Sequence, residues 1–260
     1  MKHVLLVLFF ASLAALSCST DNPVDSGNGA SGTVYLWIGA DMDATVDFSM
    51  PDVNWGADGY NRVALGTNKA KRSYIHFMIP NFPEGTTVLE AYIELYHGGQ
   101  NEDGMTDDIN IPFQEASDTW SAEDITWNNQ PSFTPGGTYT IDLISQSWSA
   151  SDDIAGQVQG YFDSPSSHRG IVVYWANTGM SIEKGFSSNN SITRTANDMG
   201  EAPRLLAKIR LPDGKNMNDV TLPQFPAGTD LDFPGEEILM LRYSSASDWP
   251  EDWDVTGGGK

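Results

Sequence analysis

Val88-Leu89-Glu90-Ala91-Tyr92-Ile93-Glu94-Leu95-Tyr96 is the stretch that decides the fold class. Ala91, Ile93 and Leu95 share one face of an extended chain while Glu90, Glu94 and the two tyrosines alternate onto the other, the period of a strand with one buried face. Outward from it, short runs of the same kind recur: Val34 to Ile38, Ala44 to Phe48, Arg62 to Leu65, Ser73 to Ile79, Ile109 to Phe113, Tyr139 to Leu143, Ile171 to Trp175, Ile182 to Phe186 and Arg204 to Leu211. Gly, Pro, Asn and Asp separate them, and many short strands between turn signals predict an all-β antiparallel sandwich. Only Asp152 to Phe162 carries a helical period, through Ile154, Val158 and Tyr161 or Phe162, in spite of Gly156 and Gly160. One short helix is expected there.

The flanks of this patterned region differ from it. Lys2 and His3 precede an apolar run from Val4 to Leu16 that is too short for a stable membrane span, and Ser17 leads into Cys18. Residues 1–18 therefore read as an export signal. Small residues before a lone cysteine resemble the lipobox of bacterial lipoproteins, in which that cysteine becomes the lipidated first residue. Ala15 and Leu16 depart from the usual pattern, which has leucine at the first position and a smaller residue at the second. The expectation is an outer-membrane-anchored lipoprotein, held in the cell envelope or outside the cell through Cys18. Residues 19–32 are a polar Gly/Ser/Asn stretch unable to bury enough apolar surface to order itself, hence a flexible linker to a sandwich over residues 33–211. From Pro212 onward ten acids stand against three bases and prolines recur at 223, 226, 234 and 250, so residues 212–260 are expected to form an acidic, Pro-rich tail. Ile238 to Leu241 is the one place in it suited to an edge strand.

Cys18 is the single cysteine, so the mature chain holds no internal disulfide and depends on burial. Charge is lopsided: 14 Lys+Arg against 35 Asp+Glu give a formal net charge of -21, and no lysine or arginine occurs between Ser73 and His168. That balance argues against nucleic acid as a partner and against unaided adhesion to anionic membranes. Arg62, Lys69, Lys71 and Arg72 form the one local basic group.

Two tryptophans seven residues apart mark the most unusual loop, Glu115 to Pro131. Ser121 with Glu123 and Asp124 reads as a capped helical turn, Ile125 to Trp127 as a resumed extended run, and Asn128-Asn129-Gln130-Pro131 as its stop. Trp120 and Trp127 either pack beneath this excursion or offer a flat stacking surface.

The order of these elements resembles the DNRLRE domain, a disaggregatase-related, carbohydrate-binding-module-like family of extracellular β-sandwiches. The resemblance runs from about Asp41 to Leu211. It rests on Asp43-Ala44-Thr45-Val46, on the Asn54-Trp55-Gly56 turn, and on Arg72-Ser73-Tyr74-Ile75-His76-Phe77. It continues through Pro83 to Tyr96, Asp118-Thr119-Trp120 with Ile125 to Pro131, Val158 to Tyr161, Gly170 to Val173 and Ala202 to Leu205. Met78 stands where the family commonly has aspartate, and Gln146 to Ser151 looks like an insertion. The resemblance implies a jelly-roll-like sandwich that binds polysaccharide, working attached to or beside polysaccharide-degrading enzymes. In some relatives the implied ligand is a uronate polymer such as alginate, which the acidity here fits poorly. For an acidic glycan, Arg62, Lys69, Lys71 and Arg72 have the right charge. The resemblance also makes the two-tryptophan segment part of the frame, with Trp120 and Trp127 as core.

Catalytic signals are sparse. His3, His76, His97 and His168 have no partner at ligand spacing, and the chain has no nucleophile elbow, phosphate loop or CxxC pair. The reading is non-enzymatic, with a small polysaccharide lyase or hydrolase and a structural or protein-interaction lipoprotein as alternatives. No cofactor is implied beyond a structural calcium, for which the oxygen-rich loop Asn101 to Asp108 offers Glu102, Asp103, Asp107 and Asp108, with Asp41, Asp43 and Asp47 as a weaker option. Sugar stacking falls to aromatic residues outside the frame: Trp55, Tyr60, Trp148 and Trp175.

Overall fold

A computed structural model describes residues 32–66, 69–97, 109–133, 139–143, 147–175, 182–188, 202–221 and 241–244. Eleven strands form among them: β1 (Thr33–Asp47), β2 (Tyr60–Gly66), β3 (Lys69–Phe77), β4 (Thr87–His97), β5 (Ile109–Glu115), β6 (Tyr139–Leu143), β7 (Ser147–Ala150), β8 (Ile171–Tyr174), β9 (Ile182–Ser187), β10 (Arg204–Arg210) and β11 (Leu241–Ser244). One helix, α1 (Ala155–Asp163), lies between β7 and β8. Every strand pairing is antiparallel, so the all-β sandwich expected from the alternation is the fold.

β1 belongs to both sheets. Its first half, Thr33 to Gly39, pairs with β10 and also with β11, and β10 leads on to β4 and β7. Its second half, Ala40 to Asp47, pairs with β3. The other edge of β3 is shared, Lys69 to Lys71 with β2 and Arg72 to Ile75 with β8. β2 continues to β9, and β8 to β5 and β6. The sequence reads Val34 to Ile38 and Ala44 to Phe48 as separate strands, but the chain runs through as one. A register shift between Ala40 and Met42 takes up the irregularity.

That bulge decides which side chains face inward, because an extra residue reverses the alternation that follows. Before it, Leu36, Ile38 and Ala40 point into the main core. After it, the same face continues as Asp43, Thr45 and Asp47, opposite Ile75, Ser73 and Lys71 of β3. Ala44 and Val46 turn to the outer face instead and pack with Tyr74, Ala116, Ile125 and Val172 in a second cluster. The sandwich interior thus becomes polar at one end.

The Glu115 to Pro131 excursion covers that second cluster. Trp120, Trp127 and Phe133 pack on it, partly buried. Trp120 meets Tyr74 edge to face at 5.6 Å, and its Nε1 donates to the Arg169 carbonyl at 2.8 Å. Tyr74 donates its hydroxyl to the Pro131 carbonyl at 2.7 Å, and burial pushes its phenol well above the ordinary value. Ser121 caps one turn, its Oγ accepting from Glu123 N at 3.2 Å and its carbonyl from Ile125 N at 3.0 Å. The extended run expected at Ile125 to Trp127 is instead loop and turn. Asn129 Oδ1 accepts from Thr126 N at 2.6 Å, so a side chain takes the bond a partner strand would have made.

α1 begins three residues later than its apolar period, with Ile154 buried just outside it and Val158, Tyr161 and Phe162 inside the core. The segment leading into it closes the edge of β4. Ile154 N donates to Ala91 O at 2.8 Å, Asp153 Oδ1 accepts from Ala91 N at 3.0 Å, and Gln159 Oε1 accepts from Val88 N at 2.7 Å. Gln146 to Ser151, an insertion by resemblance, supplies β7, which pairs with Glu94 to His97. Beyond Leu211, β11 lies along Tyr35 to Ile38, and Thr221 bridges to Asn81.

Candidate functional site

The polar end of the interior is closed by the chain between β1 and β2. Within Asn54-Trp55-Gly56 the side chains alternate: Trp55 bridges Thr45 beside the inward-facing row, and its neighbours face the excursion. Asn54 Nδ2 donates to Ala122 O at 2.7 Å and to Ile125 O at 2.8 Å, while its Oδ1 accepts from Gly56 N at 3.1 Å. A Cβ on Gly56 would stand 1.9 Å from the Ala122 carbonyl oxygen, so only glycine allows this approach. Asn128 ties the other side, donating its backbone N to Pro51 O at 3.2 Å and its Nδ2 to Asp52 Oδ1 at 2.7 Å. The turn that holds Trp55 is therefore docked on the two-tryptophan excursion.

Trp55, Thr45, Asp47, Met50, Asp58, Arg62 and Lys71 line a cavity of about 40 Å³. That is room for a few waters or the edge of a polar ligand. The indole Nε1 of Trp55 is buried and has no hydrogen-bond partner among the described residues. A buried donor left unpaired costs on the order of 1–3 kcal/mol, so such an atom points to a missing partner.

Charged groups ring the cavity in pairs. Lys71 Nζ hydrogen-bonds Glu183 Oε1 and lies 3.7 Å from Asp47 Oδ2. Arg62 lies 3.6 Å from Asp58 and 3.9 Å from Glu183. Asp47 Oδ1 also accepts from Ser49 N at 2.8 Å and Ser49 Oγ at 2.7 Å. Behind them Thr45 Oγ1 accepts from Arg62 N at 2.9 Å and Ser73 Oγ donates to Arg62 O at 2.8 Å, which fixes β2 against β1 and β3. The loop after β1 exposes apolar side chains, Phe48 49 % exposed, Met50 42 % and Val53 40 %, and of these Met50 lines the cavity. Phe48 leans on Trp127 edge to face at 5.5 Å.

Of the side chains singled out in the sequence, the structure brings together Trp55, Arg62 and Lys71. Tyr60 opens β2 opposite Ser187 and does not line the cavity. Lys69 is exposed at the start of β3. Arg72 points to the outer face, its guanidinium 4.5 Å from the Trp127 ring and 4.9 Å from Phe133, with Nη1 donating to Gln130 Oε1 at 3.0 Å. Burial lowers its pKa, and its role is to clamp the excursion. Trp148 sits on the first sheet, with the Arg204 guanidinium 3.8 Å above its ring. Trp175 packs against the main core. Glu102, Asp103, Asp107, Asp108 and Cys18 lie outside the described residues. Asp41 pairs with His76 at 2.7 Å and Asp47 with Lys71, and among the described residues no three His, Cys, Asp or Glu side chains gather to hold a metal.

Sequence reasoning missed Phe48, Met50 and Val53, although three apolar residues among the turn formers Ser49, Pro51 and Asp52 are out of place in an ordinary solvated loop. It also missed the carboxylates Asp58 and Glu183, and named Asp47 only as a calcium option. Glu183 is 112 positions from Lys71, and no local signal links them.

The two histidines that seem isolated in the sequence also meet. His76 and His168 stack at 4.9 Å, Tyr161 lies 4.2 Å from His168, and His168 Nε2 accepts from Phe77 N at 3.4 Å. Burial, with the neighbouring His76 and Arg169 charges, holds the His168 pKa well below the ordinary histidine value.

A small polar cavity with a buried donor, paired charges and one exposed apolar side chain, Met50, suits a ligand carrying hydroxyls and C–H faces. The sequence model of carbohydrate-binding module family 96 matches residues 35–194, more than half of the chain. The chain belongs to that family. All cavity and rim residues of this family 96 module fall inside the matched span, as do the excursion and α1. No curated protein matches the chain.

Proposed function

We propose that this family 96 module is a non-catalytic, cell-surface polysaccharide-binding protein whose ligand enters at the Trp55 cavity. The carrying observation is the Trp55 Nε1 donor, buried without a partner among the described residues in a polar cavity lined also by the exposed Met50. A sugar hydroxyl satisfies the indole and reaches the surrounding carboxylates and cations, while Met50 takes the C–H face of a neighbouring ring. The ion pairs around the cavity suit a binding role, because each charged group is already committed to a partner. Calorimetry against a polysaccharide panel tests this: binding that is lost in Trp55→Ala and weakened in Met50→Ala supports it. Binding untouched by either change, or release of oligosaccharides by the purified protein, refutes it.

The surface location rests on the Lys2 to Cys18 pattern. Cys18 would carry the lipid and residues 19–32 would hold the module away from the membrane, beside polysaccharide-degrading enzymes. Expression of Cys18→Ser checks the anchor: the wild type should partition with membranes and the variant should be released as soluble protein.

A further inference from the structure

Lys184 is 1 % exposed, and it does not line the Trp55 cavity. β2 and β9 run antiparallel, with Val63 opposite Lys184 and Asn61 opposite Phe186. These four side chains therefore share one face of the pair, and Val63 and Phe186 place that face in the main core. Lys184 and Asn61 are diagonal neighbours on it, a separation that a side chain as long as lysine spans. Asn61 is also 1 % exposed, and its Nδ2 has no hydrogen-bond partner among the described residues. Arg62, between Asn61 and Val63, donates its backbone N to Thr45 Oγ1 at 2.9 Å, which sets this part of β2 against β1. Two residues before Thr45 on the same inward row stands Asp43, again 1 % exposed.

A buried amine, a buried carboxamide and a buried carboxylate on neighbouring strands are the components of amide exchange between side chains. We propose that Lys184 and Asn61 join in an intramolecular isopeptide bond, with Asp43 carrying the protons. Burial away from water favours the neutral amine that the step needs. Nζ of Lys184 attacks Cγ of Asn61, and the Nζ–Cγ bond forms as the carbonyl electron pair moves onto Oδ1. Asp43 takes the proton that Nζ sheds and passes it to Nδ2. The oxygen pair then returns, the Cγ–Nδ2 bond breaks and ammonia leaves. No oxidant or second substrate enters, and Asp43 ends as it began. The product replaces a buried amine and a buried unpartnered donor with one secondary amide, which lowers the cost of burying both. It also ties β2 to β9 covalently, in a chain whose single cysteine cannot form an internal disulfide. The bond requires nothing of the carbohydrate-binding reading.

The test is mass spectrometry of the purified full chain under denaturing, reducing conditions, with Lys184→Ala prepared alike, followed by a tryptic map. Apart from the substitution itself, the wild type should be lighter than the variant by one ammonia. Trypsin should fail to cut after Lys184, and the map of the wild type should contain a joined peptide carrying Asn61 and Lys184. Asn61→Asp should form the same bond with loss of water instead. Freshly folded Asp43→Asn should keep its full mass; a bond formed there as fast as in the wild type overturns Asp43 as the proton carrier. A wild-type chain of full mass, cut cleanly after Lys184, overturns the inference whatever the variants do. So does loss of ammonia without the joined peptide, the mark of an asparagine cyclised on its own backbone.

Discussion

Trp120 and Trp55 stand on opposite faces of the same sheet, and their indole nitrogens have different fates. On the outer face Trp120 Nε1 donates to the Arg169 carbonyl at 2.8 Å over a cluster closed by Tyr74, Ile125 and Val172. On the inner face Trp55 Nε1 is buried and has no acceptor among the described residues. The outer face also encloses its cation, Arg72, between two rings, whereas the inner face sets Arg62 and Lys71 at a cavity wall. Both regions are rich in aromatic and charged residues, so composition does not separate them. The indoles do: Trp120 gives its donor to the Arg169 carbonyl, whereas Trp55 Nε1, like Asn61 Nδ2, Gln157 Oε1 and His168 Nδ1, is buried without a partner among the described residues, and of these atoms it is the one on a residue lining the cavity.

Five substitutions or conditions can break or sharpen that contrast. Trp120→Ala should have the largest effect, a loss of about 3 kcal/mol in urea unfolding, from the packing removed and the lost Arg169 bond. Gly56→Ala should follow at about 2 kcal/mol, because its Cβ collides with the Ala122 carbonyl and lifts the Trp55 turn from the excursion. Trp55→Phe should change stability by less than about 0.5 kcal/mol, since it deletes an unpaired donor, yet weaken polysaccharide binding about tenfold. Destabilisation of Trp55→Phe to the level of Trp120→Ala would erase the contrast. Arg72→Gln should cost about 1 kcal/mol through loss of its contacts with Trp127 and Phe133, leaving binding in place; lost binding would move the ligand to the outer face.

The smallest expected effect near neutrality is that of pH. His168 is buried with a lowered pKa, so its contribution to stability is complete above the ordinary histidine value of 6.5 and declines as the pH falls below it, when the unfolded chain takes up a proton the folded one refuses. His76, Tyr161 and Arg169 are the groups facing it. Melting temperature should drop between pH 6.5 and pH 5.5, and His168→Gln should flatten the slope. An unchanged slope in that variant would assign the acid sensitivity to other groups.

The frame was legible because it is written in short-range patterns. The alternation in Val88 to Tyr96 placed Ala91, Ile93 and Leu95 in the core, where they are found. Ser121, Asn129 and Pro131 marked the excursion through local hydrogen bonding that needs no distant partner. The long β1 was not legible, since nothing in Gly39-Ala40-Asp41-Met42 distinguishes a bulge from a break. Nor was the function of the basic group. Lys71 and Arg72 are adjacent, and alternation alone sends them to opposite faces, but which face holds the cavity depends on the bulge in the partner strand.

By itself, then, the sequence determined the sandwich, the helix near Val158 and the two-tryptophan corner, because periodicity, capping and turn chemistry act over a few residues. Only the tertiary structure decided that Arg62 and Lys71 meet Asp47, Asp58 and Glu183, that Arg72 does not join them, and that Trp55 keeps a donor in reserve. Those outcomes depend on register and on contacts between residues far apart in the chain, where a shift of one position exchanges the inner face for the outer.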